Sequence, residues 1–304
     1  MHILVIFTGG TIGSTLTDGW ISTDDTTRYT LINTYRTANG EDVTFSTRAP
    51  YTILSENLSA CNLATLANEV CKAVTEDFDG VIVTHGTDTL QYAAAALAFA
   101  TGNNCKPVVL VSSNYPLSDP RSNGNANFKA AVDFIKENSG RGVFVAYQND
   151  NEAVTFHNAL SILSHLETSD ALFSLHNNVY AVATENGIAV TGAVQPCETL
   201  PVVFSDNANI LVLEPHPADT YAYPLEQYRA VILRPYHSGT FPTDIPAFTA
   251  FCERAKAAGV PVYAVGIPQG TTYASSKQFD TLGITPLYDT TFVSAYVKLW
   301  MQLS

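Results

Sequence analysis

Residues Met1–Gly13 read MHILVIFTGGTIG, and the fold follows from how they are read. Ile3 to Phe7 form an unbroken apolar run rich in β-branched residues, the pattern of a strand buried on both faces. Thr8, Gly9, Gly10 and Thr11 follow at once. In an open parallel sheet, ligands bind in the crevice beyond the carboxyl ends of the strands. Two glycines there let the backbone turn tightly and come close to a bound group. Two threonines put hydroxyls on the same turn. This is not a nucleotide loop: Thr8 stands where the dinucleotide fingerprint has its first glycine, and no Gly-Lys-Ser/Thr follows.

The same architecture recurs at Asp77–Ala100, DFDGVIVTHGTDTLQYAAAALAFA. Gly80 to Val83 is a short buried strand, Thr84 to Thr89 a polar turn, and Leu90 to Ala100 an alanine-rich helix. Asp88 or Thr89 near the helix start is also placed to serve as an N-cap. If the two strands are neighbours in one sheet, their ends bring Thr11, Thr87 and Asp88 into one crevice.

Outward from these two units, Ser14 to Arg48 is rich in Thr, Asp, Asn and Gly and reads as a long loop containing Asp18, Gly19 and Trp20. Tyr51 to Leu54 reads as a strand ending in the polar cluster Ser55, Glu56, Asn57, and Leu58 to Val74 as an amphipathic helix. Pro107 to Val111 and Gly142 to Tyr147 are further buried strands, with a helix from about Asn127 to Glu137 between them. Val154 to Leu166 is compatible with strand or helix. Tyr180–Ala183 and Ile188–Val194 form a hairpin turning at Asn186-Gly187. Gln195 to Ala208, with Pro196 and Pro201, reads as a linker. Beyond it come strands at Ile210–Glu214, Val231–Leu233 and Val262–Val265, and helices at Pro224–Arg229, Ile245–Ala258 and Ala295–Leu303. The alternation predicts an α/β protein of two domains, 1–194 and 209–304, each with a parallel sheet and joined by 195–208.

A chain of 304 residues with 46% hydrophobic content can bury a large core, consistent with two domains. A net charge of −13 argues against nucleic acid or an anionic membrane as partner. No apolar run approaches the roughly 18 residues of a membrane span, and no basic region precedes the first apolar segment, so neither a span nor a signal peptide is expected. The 5 cysteines are irregularly spaced; each is expected to be a small buried hydrophobe in a reduced, cytoplasmic protein. The 7 histidines fall in no ligand pattern, so neither a metal nor a cofactor is expected.

Hydrolysis of an amide by a hydroxyl needs the hydroxyl, a group to take its proton, and N–H donors for the oxyanion. A threonine on a Gly-rich turn meets the first need and turn N–H groups the third. Thr87-Asp88 adds a second hydroxyl and a fixed negative charge suited to a substrate ammonium. No G-x-S-x-G elbow is present, which argues against an α/β-hydrolase.

TGGTIG at Thr8–Gly13 and THGTDT at Thr84–Thr89 resemble the paired signatures of the bacterial-type L-asparaginase/glutaminase family. The resemblance extends to SSNYPLSDPRSNGNANF and to VILRPYHSG in the second half. It implies a larger N-terminal and a smaller C-terminal α/β domain, assembled as a homodimer or homotetramer with sites near subunit contacts. It also implies that Thr11 is the nucleophile, with Thr87 and Asp88 the second threonine and the substrate-binding aspartate. Ser55 and Glu56 match positions that bind the substrate's α-carboxylate and amino group, and Gly10, Thr11 and Thr87 would donate to the substrate carbonyl oxygen. The sequence departs from the family at its loop tyrosine, where the best match is Trp20, which has no hydroxyl, and at its lysine, where Ser164 or His165 stands and Asn149–Asn178 contains no lysine. His165 is then either a replacement base or a packed histidine, and Lys129 and Lys136 lie on a surface-like helix. The family's acidic residue near the C-terminal helix has no match around Val293 and Ser294. The implied reaction is hydrolysis of L-asparagine to L-aspartate and ammonia. A related amidohydrolase for another amide, or an amino-acid-binding homologue without turnover, are the alternatives.

Overall fold

The computed structural model describes residues 1–17, 20–23, 27–103, 106–270 and 273–304, with backbone alone over 14–17, 20–23 and 27–28. The chain divides into two compact units, Met1–Val202 and Val203–Ser304. The larger begins with β1 (His2–Phe7), β2 (Ser14–Thr17), β3 (Trp20–Thr23), α1 (Thr27–Asn39), β4 (Thr44–Arg48) and α2 (Ala60–Ala73). It continues with β5 (Gly80–Thr84), α3 (Leu90–Thr101), β6 (Pro107–Val111) and α4 (Gly124–Lys136). β7 (Gly142–Gln148), β8 (Val154–Asn158), β9 (Ala181–Thr184) and β10 (Gly187–Val190) complete it.

Its main sheet runs β10-β9-β8-β7-β6-β5-β1-β4. From β4 to β7 the pairings are parallel; β7–β8, β8–β9 and β9–β10 are antiparallel, so the sheet is mixed. β5 and β6 are buried along their whole length and β1 from Ile3 to Phe7, as continuous apolar runs demand when both faces are covered. β1 and β5 are neighbours, with Phe7 opposite Thr84, so both threonine turns leave the sheet at the same edge.

The polar stretch after Gly13 is not a loop. It forms the β2–β3 hairpin, then α1, then β4, the edge strand of the main sheet. Composition misleads here because α1 needs only Leu31, Ile32 and Tyr35 to face the core and β4 is only half buried. Tyr51–Leu54 is not a strand either, since only Ile53 makes a bridge, to Gly9. Asp18 and Gly19, the side chain of Trp20, and Cys105 lie outside the described residues. Cys61 is exposed rather than buried, while Cys252 is in the core.

The smaller unit holds β11 (Ile210–Leu213), β12 (Ala230–Leu233), α5 (Pro246–Ala257), β13 (Val262–Ile267), α6 (Phe279–Leu282), β14 (Ile284–Tyr288) and α7 (Phe292–Leu303). Its four strands are parallel in the order β11-β12-β13-β14. Pro224–Arg229 is only a single tight turn, Leu225–Gln227, and β14 is a strand that the sequence reading does not place. Pro286 within β14 is tolerated because that strand is at the sheet edge.

Within the larger unit, His157 on β8 is buried, with Nε2 2.9 Å from Thr155 Oγ1 and Nδ1 2.8 Å from Ser174 Oγ. Burial disfavours its charged form and depresses its pKa to about 4 from 6.5. The folded state therefore binds fewer protons than the unfolded state between those values, and stability rises with pH across that window. Burial depresses the His85 pKa too, with the same sign. Acidification from neutrality to about pH 4.5 is expected to cost roughly 2.5 kcal/mol through His157 alone. Urea unfolding of the wild type and His157→Gln across that range checks this. The variant should show the shallower pH dependence, and equal slopes would refute the assignment.

Candidate active site

The two threonine turns touch through their backbones. Gly10 has φ +77°, and a Cβ there would sit 2.4 Å from Gly86 Cα; Gly9 has φ +100°, and its Cβ would sit 2.2 Å from the Ile53 carbonyl oxygen. Glycine is required at both positions, for conformation and for space. Two hydrogen bonds stitch the first turn to the following segment: Gly10 N–H to Ile53 O, 2.9 Å, and Ile53 N–H to Thr8 O, 3.1 Å. Thr8 Oγ1 donates to Thr84 O at 2.8 Å, tying the two strand ends directly.

These contacts revise one expectation. The Gly10 N–H is engaged by Ile53 and is not available to a substrate oxygen; Gly10 contributes by having no side chain. Thr11 opens a tight turn closed by Gly13 N–H to Gly10 O, and its half-buried hydroxyl has no hydrogen-bond partner among the described residues.

Ser55 couples the third segment to the second turn. Its hydroxyl donates to Asp88 Oδ2 at 2.9 Å, and its carbonyl accepts from Thr89 Oγ1 at 2.9 Å. A Cβ on Gly86 would lie 2.4 Å from Ser55 Oγ, so this glycine also makes room for the Ser55–Asp88 pair. Thr89 occupies the N-cap position of α3 but makes no side-chain cap, because its hydroxyl is committed to Ser55. Glu56 is exposed beside this pair.

A cavity of about 290 Å³ opens over the second turn, lined by Thr87, Asp88, His165, Leu166, Thr168, Ser169 and Asp170. Thr11, Ser55 and Glu56 do not line it; they belong to the adjoining turn and segment. His165 Nε2 lies 2.9 Å from the Thr87 carbonyl oxygen. A carbonyl only accepts, so that nitrogen carries the proton and donates. His165 therefore holds the backbone of Thr87 and is not placed through Nε2 as a base toward its hydroxyl. Ser164, the other match to the family lysine, does not line the cavity.

Thr168, Ser169 and Asp170 are cavity residues that reading the chain did not single out. The only local signal is the polar run between Leu166 and Ala171. The strap carrying them is pinned at both ends. Leu163 N–H donates to Phe173 O at 2.9 Å, Tyr147 Oη to Asp170 O at 2.7 Å, and Leu172 N–H to Asn149 Oδ1 at 2.9 Å. Lys129 and Lys136 are paired with Asp133 and Asp42. Among the described residues no group of three or more His, Cys, Asp or Glu is arranged for a metal, and no helix is long and apolar enough to cross a membrane.

Residues 2–194 match the protein family described as asparaginase, N-terminal. An L-asparaginase of Thermococcus kodakarensis is 34% identical over 153 residues, 49% of this chain and 44% of that protein. One of the glutamyl-tRNA(Gln) amidotransferase subunits of the same organism is 26% identical over 269 residues, 82% of this chain and 59% of that protein. The chain thus spans about half the length of the curated relatives it matches. The solved thermostable L-asparaginase from Thermococcus kodakarensis superposes with a TM-score of 0.81 at 23% identity, covering 100% of this chain and 93% of that one. L-asparaginase I of Vibrio cholerae gives 0.78 at 24% identity, covering 99% and 92%. At these identities the structural likeness establishes the two-domain α/β fold.

Proposed function

The chain belongs to the asparaginase family, and from that premise we propose that it is an L-asparaginase-type amidohydrolase with Thr11 as nucleophile. The observation that carries this reading is the backbone contact of Gly10 with Gly86, which holds two hydroxyl-bearing turns of neighbouring strands against each other. Asp88, fixed by Ser55, supplies the charge for a substrate ammonium. In the first step the Thr11 oxygen bonds to the side-chain amide carbon. The hydroxyl proton passes to the leaving nitrogen, the C–N bond breaks and ammonia departs. Water then adds to the ester, the Thr11 hydroxyl is restored, and aspartate leaves. Thr87 presents the neighbouring hydroxyl, and His165 positions it through its carbonyl.

Ammonia release from L-asparagine and L-glutamine tests the reading; release from neither overturns it. Both substrates are needed because the relatives include amidotransferase subunits as well as L-asparaginases. Asp88→Asn keeps an acceptor for Ser55 but removes the charge, and should lower kcat/KM by roughly 10- to 100-fold, the worth of one charged hydrogen bond. An unchanged value would remove Asp88 from the site. We place the protein in the cytoplasm as a homodimer or homotetramer, with residues 195–208 as linker and neither cofactor nor metal. Light scattering checks the assembly.

One observation favours a second reading. Asp88 and Asp170 line the same cavity and, among the described residues, no Lys or Arg does, a charge pattern suited to an amide carrying an additional ammonium. Faster turnover of lysine amide than of L-asparagine would select that reading.

A further inference from the structure

A second cavity, of about 350 Å³, is lined by the carboxyl end of α3 (Ala98, Gly102, Asn103), the start of β7 (Arg141 to Val143), the turn after β8 (Asn158 to Leu160) and the strand exit at Val194, Gln195 and Cys197. None of these residues lines the cavity over Thr87. Among the described lining residues there is no Asp or Glu, in a chain whose net charge is −13.

The side-chain acceptors of this cavity are already engaged. Asn103 Oδ1 accepts from Cys197 N–H at 3.1 Å, Asn158 Oδ1 from Gln195 N–H at 3.3 Å, and Gln195 Oε1 from Ser161 Oγ at 2.7 Å. Because backbone N–H groups can only donate, the first two bonds fix which amide atom is oxygen. Asn103 Nδ2 and Gln195 Nε2 then remain as donors without partners among the described residues, and Asn158 Nδ2 uses one hydrogen on Ala193 O at 3.0 Å. Arg141 has no ion pair among the described residues. A helix carboxyl end repels anions when its carbonyls are bare. Here they are covered: Leu97 O by Thr101 Oγ1, Ala98 O by Gly102 N–H, Phe99 O by Leu200 N–H, and Ala100 O by Cys71 Sγ. Ala98, Val143, Ala159, Leu160 and Val194 are apolar, and Gly102, Gly142 and Cys197 complete the lining.

We propose that this cavity is a binding site for a small carboxylate with an apolar body. The head is held by the Arg141 guanidinium and the free amide N–H groups of Asn103 and Gln195, and the body lies on Ala98, Val143 and Leu160. A guanidinium with flanking amide donors matches the two oxygens of a carboxylate, and a mostly apolar wall with a few convergent polar groups is the ordinary composition of a small-molecule site.

Titration calorimetry of the full chain with hexanoate, hexylammonium and inorganic phosphate tests this. Hexanoate should bind saturably, hexylammonium should not, and phosphate should bind more weakly because it leaves the apolar wall unused. Arg141→Met should weaken hexanoate at least tenfold, and Arg141→Lys should weaken it less; Arg141 is exposed, so both variants are expected to fold, which the unfolding midpoint verifies. Absence of hexanoate binding, equal binding of hexylammonium, or unchanged affinity in Arg141→Met would each overturn the proposal. Phosphate binding tighter than hexanoate would do so as well. Thr11→Ala should bind hexanoate like the wild type, which separates this site from the proposed catalytic one.

Discussion

Thr11→Ala is expected to reduce ammonia release at least about a thousandfold while leaving the protein folded. The expectation rests on where Thr11 stands. It opens a tight turn just beyond the carboxyl end of β1, its hydroxyl has no hydrogen-bond partner among the described residues, and its removal empties no packed core. Removing a nucleophile eliminates the covalent step, so the loss should fall on kcat with little change in KM. Thr11→Ser keeps the oxygen and should retain far more activity than Thr11→Ala. Steady-state ammonia assays on both variants, with unfolding midpoints as control, decide it. An alanine variant within about tenfold of the wild type would move the chemistry to another group, with the hydroxyl of Thr87 first in line.

Gly10→Ala carries the second large effect, and it acts through structure. The residue has φ +77°, a region that costs an L side chain about 1–2 kcal/mol, and the new methyl would meet Gly86 Cα and N at 2.4 Å. Both obstacles are backbone atoms, so no rotamer change relieves them. The turn must move away from Gly86, and with it Thr11 from Thr87. A loss of roughly 3 kcal/mol or more in unfolding free energy is expected, accompanied by loss of activity. Gly13→Ala is the matched control, because among the described residues a Cβ there meets nothing within 4 Å and its φ is not left-handed. Urea unfolding of the pair provides the measurement, and equal stability of the two variants would contradict the close approach.

Which parts of the molecule could be read along the chain follows from how local their causes are. β1, β5, β6 and β7 are legible because a strand covered on both faces must be apolar throughout, and each ends abruptly at polar or glycine residues. α2 is legible because its apolar residues recur at helical spacing. α1 and β4 were hidden because a partly buried helix and an edge strand tolerate polar sequence. The parallel order of β14 was hidden because Pro286 reads as a break unless the strand is known to be at an edge.

The family and the proposed site residues follow from the two motifs TGGTIG and THGTDT alone, since each places threonines and glycines directly after a buried strand. Their relation does not. Only the tertiary structure makes β1 and β5 neighbours, presses Gly10 onto Gly86, and takes the Gly10 N–H into a bond with Ile53. It alone turns His165 Nε2 toward the Thr87 carbonyl and brings Asp170 into the cavity of Asp88. The physical reason is separation along the chain. A strand and its turn are specified by side chains within a few residues, whereas hydrogen bonds spanning Ser55 to Asp88 or His165 to Thr87 exist only once distant segments have packed.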